Sequence, residues 1–460
     1  MRPSSSPSDS PAAVGLFDGV LARGPVAGIV ADPSWLQALL DVEAALARAG
    51  ARTGLVPSAS ADAIAAACRA ERFDVAQLGA DATSSGNPVV PLVRALTATV
   101  PQDAKAFVHV GATSQDVLDT AAMLVAKRAA TVLLNEVGSA ADAAAGLAAT
   151  HRDTLMAGRT LLQQALPVTF GLKAAGWLTA LDEVAQRLDE VARHRLAVQL
   201  GGAAGSLASL EDRGVEVLTS FAAELDLSAP VLAWHTDRTR VLELAAALGG
   251  LAAVIGKIAG DVALLAQTEI AEVAEGGPQG RGGSSTLPHK RNPVAAVSAR
   301  ACAAQAPGSV AALLTAAQHQ EHERAAGSWH AEWQPLRDLL RSTGSAAAWL
   351  RDCLEHLEVD ADRMRANLDI TGELLMAERV TGALSGTLGR QVAHDLVSQA
   401  AATATCAARS FADALLDIPE VRTRLDPPAI AELLDPAGYL GSSQAFVDRA
   451  LRAHVQWRSP

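Results

Sequence analysis

Apolar residues recur at three- and four-residue spacing along most of the chain, and the runs that keep this helical period are long. The clearest cover about 117–150, 167–194, 238–274, 294–315 and 334–356, where alanine and leucine alternate with isolated charges and few breakers intervene. Shorter runs come first: 35–49, opened by Pro33-Ser34-Trp35 and stopped at Gly50, then about 61–72, then 89–99 after the break at Ser84-Ser85-Gly86-Asn87-Pro88. A further short helix is expected at 215–225. From about 360 the helices shorten and carry more charge, and a turn at 434–441 precedes a last helix. Twenty helical residues cover about 30 Å, so the long runs predict a bundle of nearly parallel axes whose helices find extra partners in other subunits. The expected partition is a disordered tail at 1–15, an N-terminal helical domain at 16–108, a central bundle at 109–358 and a C-terminal helical domain at 359–460. No internal repeat is visible.

Composition supports an all-α fold. The chain of 460 residues is 50% hydrophobic but only 3% aromatic, with one tyrosine. Alanine and leucine suit closely spaced helices, whereas sheets draw on β-branched and aromatic side chains. A formal net charge of -12 disfavours nucleic acid and anionic membranes as partners, so a positive field for an anionic ligand has to be local. Cys68, Cys302, Cys353 and Cys406 are widely separated and form no CxxC pair, which suggests neither zinc nor disulfides and fits a reducing cytoplasm. The Ser/Pro-rich start lacks an apolar signal core, and no later segment is an uncharged run of membrane-spanning length. A soluble cytoplasmic protein is expected.

Candidate chemistry sits where the helical pattern is interrupted. His109 to Asp116 precedes the longest run, with Thr113 or Ser114 as a natural N-cap. Free N–H groups and the positive dipole end at such a start can hold a carboxylate or phosphate; a plain cap is the equal alternative. Gly282 to Pro293 gathers flexible backbone, hydroxyls, cations and an amide, either as a solvated surface loop or as a binding loop. The glycines at 201–205 read as a turn between helices. His319 and His322, flanked by acids, could face a metal but lack the HExxH order, and no metal is expected. Without a GxGxxG after a strand, a P-loop lysine or a GxSxG elbow, nucleotide and serine-hydrolase chemistry are disfavoured.

Three stretches carry a family resemblance: HVGATSQDVLDTA at 109–121, GRTLLQQALP at 158–167 and GSSTLPHKRNP at 283–293. In this order they resemble the shared regions of the fumarase/aspartase superfamily, over most of 16–441. The resemblance implies a homotetramer with a long central helix bundle and active sites shared between subunits, a small di- or tricarboxylate substrate, and no cofactor. It assigns Ser284 as the acid or base on carbon, Lys290 and Asn292 to one substrate carboxylate, and Thr113, Ser114 and Gln115 to another. His109 and Arg324 are placed near the pocket. Residues 206–210, Trp234-His235-Thr236, 320–324 and 329–333 resemble the superfamily's cycloisomerase branch, in which a carboxylate adds across a muconate double bond. Leu161 stands where fumarases and adenylosuccinate lyases carry a histidine acid. A carboxylate leaving group, with a conjugate acid of pKa about 4, needs no such acid, whereas hydroxide would. Nitrite is also a weak base, so a lyase releasing fumarate from nitrosuccinate remains open, as does an adenylosuccinate-type lyase; a catalytically silent scaffold is the alternative from another class.

Overall fold

The computed structural model describes residues 15–278, 281–283 and 286–458. Residues 1–14 of the expected tail lie outside the described residues. Helices dominate. The main ones are α1 (Asp32–Arg52), α2 (Val75–Asp81), α3 (Val89–Thr99), α4 (Ser114–Thr150), α5 (Phe170–His194), α6 (Thr239–Leu265), α7 (Val294–Ala303), α8 (Ala306–Gln318), α9 (Ser328–Glu355) and α10 (Ser443–Arg458). The expected all-α fold is found, with two small antiparallel strand pairs added.

Three differences from the periodicity have local causes. The run at 294–315 divides into α7 and α8, because Pro307 has no N–H for the carbonyl of Ala303 and sits instead in the first turn of α8, where that N–H would be unpaired anyway. The run at 238–274 stops as helix at Leu265; Ala271 has φ 51°, and Val273–Glu275 (β3) pairs with Leu357–Val359 (β4). The run at 167–194 becomes helix only at Phe170, after the hairpin of β1 (Leu155–Thr160) and β2 (Gln163–Thr169), in which Thr160 faces Gln163. The two turn residues, Leu161 and Leu162, have φ 51° and 63° and are 96% and 72% exposed. Such a turn normally carries Asn-Gly, and a left-handed residue with a side chain costs about 1–2 kcal/mol.

By contacts the chain forms two compact units, each drawn from three stretches. The first takes the described residues of Met1–Ser139 with Glu183–Ala259 and Val297–Arg351, and the second Ala140–Asp182, Gly260–Ala296 and the described residues of Asp352–Pro460. In the first, Leu40, Leu92, Met123, Leu133, Leu248 and Leu339 are fully buried, and the equally buried Ala121, Ala126 and Ala129 leave room for helices to approach closely. Helix α6 is long and apolar enough to cross a membrane. Its Leu244, Leu251, Ile255 and Ile258 are nevertheless fully buried in the protein.

In the second unit Phe170 and Trp177 meet edge to face at 5.7 Å, and the Trp177 indole donates to Asp261 at 2.8 Å. His454 of α10 lies between Asp182 at 3.0 Å and Asp142 at 2.9 Å, tying the last helix to α5 and α4. Gly171, in the first turn of α5, abuts the end of α4 so closely that a Cβ there would lie 2.6 Å from Arg152 Cα and 2.7 Å from the His151 carbonyl. Gly176, in the same helix, has open space beside it. Gly171→Ala should therefore destabilise by about 1–3 kcal/mol in chemical denaturation, the usual cost of overpacking. Gly176→Ala should stabilise by about 0.5–1 kcal/mol, the helical advantage of alanine over glycine.

Candidate active site

The expected site residues fall into two groups, one in each unit. His109, Thr113, Ser114, Gln115 and Arg324 lie in the first, around the start of α4. Lys290 and Asn292 lie in the second. Ser284 lies outside the described residues.

The start of α4 is organised by a residue to which the sequence reading gave no role. Asp116 is 1% exposed, and its carboxylate accepts four hydrogen bonds: from the Thr113 N–H at 2.9 Å, the Gly201 N–H at 3.0 Å, the Gly202 N–H at 2.9 Å and His235 Nε2 at 2.7 Å. The first of these is the returning half of a capping box, an acid three residues after the N-cap. That spacing was present in Thr113-Ser114-Gln115-Asp116 and could have identified it. The glycine stretch at 201–205 is thus a partner of the helix start, beyond a simple turn.

Arg324 completes this corner. It donates to the Thr113 hydroxyl at 3.4 Å and to the carbonyls of Gly202 and Ala203 at 3.1 and 2.9 Å. Among the described residues it meets no carboxylate, so its charge is uncompensated beside the positive end of α4. Thr113 and Ser114 are half-buried. In the first turn the N–H groups of Ser114 and Gln115 have no acceptor among the described residues. A cation, hydroxyls and free N–H groups at one helix start form a site for an anion.

Gln115 is different. It is fully buried, and its side-chain amide donates to Asp119 at 3.1 Å and to the His235 carbonyl at 2.8 Å. Both donors are engaged within the protein. Beneath it Arg238 lies between Asp119 and Glu332, with contacts of 2.8 and 3.0 Å to the first and 2.7 to 3.1 Å to the second, all three residues under 5% exposed. The Trp329 indole also donates to Asp119, at 2.9 Å. Burial pushes the Glu332 carboxyl above its ordinary range, against the pull of Arg238.

His109 has φ 61° and directs Nδ1 at the buried Glu43, 2.6 Å away. Burial opposes its positive charge, but the charge of Glu43 and its hydrogen bond, with a further push from Asp116, carry the imidazole above its ordinary value. His319 Nδ1 contacts the Thr315 carbonyl at 2.8 Å, and the backbone carbonyl of His322 accepts from the Thr236 hydroxyl at 2.8 Å. Among the described residues no cluster of three His, Cys, Asp or Glu could hold a metal.

In the second unit the loop at 282–293 is pinched at its neck. The Gly282 carbonyl accepts from the Asn292 N–H at 2.8 Å and from the Asn292 amide at 3.0 Å, and Gly283 pairs with Arg291. Gly282 has φ 73°, and a Cβ there would run into the Asn292 carbonyl, so only glycine fits. Lys290 and Arg291 are exposed. The next helix start is closed: Glu275 accepts from the N–H groups of Ala295 and Ala296 at 2.9 and 2.7 Å, capping α7 with the protein's own carboxylate. Arg159, in the second shared stretch, is a strut, paired with the fully buried Glu272 at 2.9 and 2.7 Å, and Leu161 crowns the exposed hairpin.

A family model described as Lyase matches residues 23–308, and one described as Adenylosuccinate lyase C-terminus matches 373–450. The chain is 50% identical to a 3-carboxy-cis,cis-muconate cycloisomerase of Bradyrhizobium diazoefficiens, over 91% of this chain and 94% of that protein. It is 46% identical to a nitrosuccinate lyase of Streptomyces davaonensis, over 95% and 94%. Among solved structures it resembles the 3-carboxy-cis,cis-muconate lactonizing enzyme of Pseudomonas putida, with a TM-score of 0.90 and 42% identity, covering 96% of this chain and all of that one.

The His109–Glu43 pair predicts a signed pH effect. A raised imidazole contributes stability that is fully present below its ordinary pKa of 6.5 and is lost as pH rises through the higher folded value. Glu43→Gln should lower the His109 titration midpoint, read from the ring proton by NMR, and flatten that part of the pH–stability curve. An unchanged midpoint would contradict the pairing.

Proposed function

The chain belongs to the lyase family of the fumarase/aspartase superfamily, and from that premise we propose that it is a 3-carboxy-cis,cis-muconate cycloisomerase. Its strongest support is the 50% identity to such an enzyme over 91% of the chain. The reaction is an intramolecular addition. A substrate carboxylate oxygen forms a C–O bond to one carbon of a conjugated double bond, and the electron pair moves into an adjacent carboxylate as an aci-anion. Ser284 gives its proton to the neighbouring carbon and regains one from water. Counted from the tricarboxylate anion, the lactone takes up one proton, drawn through Ser284 from the solvent; between the free acids no atom is gained or lost.

The demanding step is holding the developing dianion. The corner formed by Thr113, Ser114 and Arg324 would take one carboxylate, as fixed donors that need no rearrangement when charge appears, and a Lys290 supplied by another subunit would take another. His109, placed near the pocket by the resemblance, is paired with Glu43 at 2.6 Å, so its positive charge is answered within the protein. Gln115 and Asn292 would act one step back: Gln115 by fixing the helix start from beneath, Asn292 by closing the loop neck with Gly282. Leu161 offers no proton, and a carboxylate that attacks or leaves as an anion requires none. A homotetramer with sites shared between subunits fits the strained, exposed Leu161-Leu162 tip, which would gain apolar cover in such an assembly.

Nitrosuccinate elimination is the second reading, supported by the 46% identical relative; its leaving group also departs without an acid. Incubation with 3-carboxy-cis,cis-muconate should deplete its ultraviolet absorbance, and no fumarate should appear from nitrosuccinate or adenylosuccinate. Fumarate release would select the second reading. Inactivity across a panel of di- and tricarboxylates would instead favour a silent scaffold. Ser284→Ala should abolish turnover, and Lys290→Met should lower kcat/KM by about 10²–10³, the range for loss of one preorganised donor. Full activity in the serine variant would remove it as the carbon acid.

A further inference from the structure

Trp234-His235-Thr236, just before α6, is a motif to which the proposed reaction gives no role. Its three consecutive residues reach three separate pieces of the corner at the start of α4. The Trp234 N–H and indole donate to the Gln199 side chain and the Val198 carbonyl, each at 2.8 Å, immediately before the glycine stretch. His235 Nε2 meets Asp116 Oδ1 at 2.7 Å and, with a carboxylate as acceptor, carries the proton. The Thr236 hydroxyl donates to the His322 carbonyl at 2.8 Å, two residues before Arg324.

Trp234 and His235 are each 3% exposed, so their influence on a bound carboxylate has to pass through what they hold. Asp116 Oδ1 is shared between His235 and the Gly201 N–H, and Oδ2 between the N–H groups of Thr113 and Gly202. The same glycine stretch turns its Gly202 and Ala203 carbonyls to Arg324. His235 therefore stands at one end of a relay that runs through a carboxylate and a glycine backbone to a guanidinium. The segments in this relay do not keep their shapes by local preference. Leu207 and His322 have φ 52° and 46°, left-handed backbone that a side chain disfavours and that persists only where the surroundings over-determine it.

We propose that Trp234-His235-Thr236 is a positioning clamp for the carboxylate corner, in which His235 sets Asp116 and the glycine stretch while Thr236 sets the segment that carries Arg324. This role rests on the reading of that corner as a substrate-carboxylate site. Gly201 lets the clamp close: a Cβ there would lie 2.7 Å from His235 Cε1 and 2.6 Å from the Ala233 Cβ. Gly201→Ala therefore displaces the imidazole without removing any donor.

Calorimetric titration of the full chain with tricarballylate, a saturated tricarboxylate that cannot cyclise, should give saturable binding. Arg324→Met should abolish it, which places the probe in the corner. Thr236→Val, close in shape but lacking the hydroxyl, should weaken binding about five-fold, the worth of one net hydrogen bond, and Thr236→Ser should restore it. His235→Phe should weaken it at least about ten-fold, because a hydrogen bond to a carboxylate is charge-assisted. Gly201→Ala should behave like His235→Phe. His235→Gln, which keeps an N–H at the same reach, should stay within about three-fold of the parent. A merely structural clamp would lower the thermal melt of these variants and leave the affinity of the folded protein unchanged. No binding to the parent, or binding that survives Arg324→Met, overturns the carboxylate corner and the clamp with it. Parent-like affinity in both Thr236→Val and Gly201→Ala overturns the clamp alone, as does a folded His235→Gln that binds as weakly as His235→Phe.

Discussion

One buried cation holds the first unit in register. Arg238 carries the only positive charge in a trio whose other members, Asp119 and Glu332, are both negative and all but sealed from water. Two acids and one base leave an excess of negative charge in a low-dielectric interior, which is tolerable only because the carboxylate oxygens are also hydrogen-bonded, by Gln115 and Trp329 on Asp119 and by Gln320 on Glu332. Such a network fixes geometry more than it adds stability. It sets the second turns of α4 and α9 against the residue that precedes α6, and the anion corner is built on that floor.

The two helix starts that flank the shared sequence stretches are treated oppositely. At α7 the dipole is answered internally by Glu275. At α4 the internal carboxylate, Asp116, turns back to the Thr113 N–H and to the glycine stretch, and Arg324 adds a further positive charge. Equivalent local chemistry gives a closed end in one place and an open one in the other. Only the open end has an electrostatic reason to attract a carboxylate.

Much of the fold was legible because a long amphipathic run leaves few alternatives: the expected break at 84–88, α3 and the extent of α4 follow from alanine, leucine and isolated charges. The hairpin of β1 and β2 was not, since Leu161-Leu162 is the reverse of a turn signal and Gln163 to Thr169 carries no clear alternation. The split at Pro307 was readable in principle and lost within an otherwise unbroken apolar run. At the site, the polar stretches at 109–116 and 282–293 stood out by composition. Which of their side chains face outward did not. Gln115 and Thr113 look alike on paper, and burial alone separates an amide spent on Asp119 and His235 from a hydroxyl that stays half-buried at the helix start. Partners distant in sequence, such as Glu43 for His109 or His235 for Asp116, carry no local signal.

The fully buried alanines of α4 bear on how such a protein diversifies. At Ala121, Ala126 and Ala129 any larger residue would force the neighbouring helices apart, so these positions have almost no freedom to drift. Sequence change that alters chemistry is therefore channelled to helix starts, the hairpin tip and the pinched loop, where a side chain can change without moving an axis. A scaffold with such tight contact positions can exchange one leaving group for another by revising residues at its edges, while those buried alanines stay fixed by packing alone.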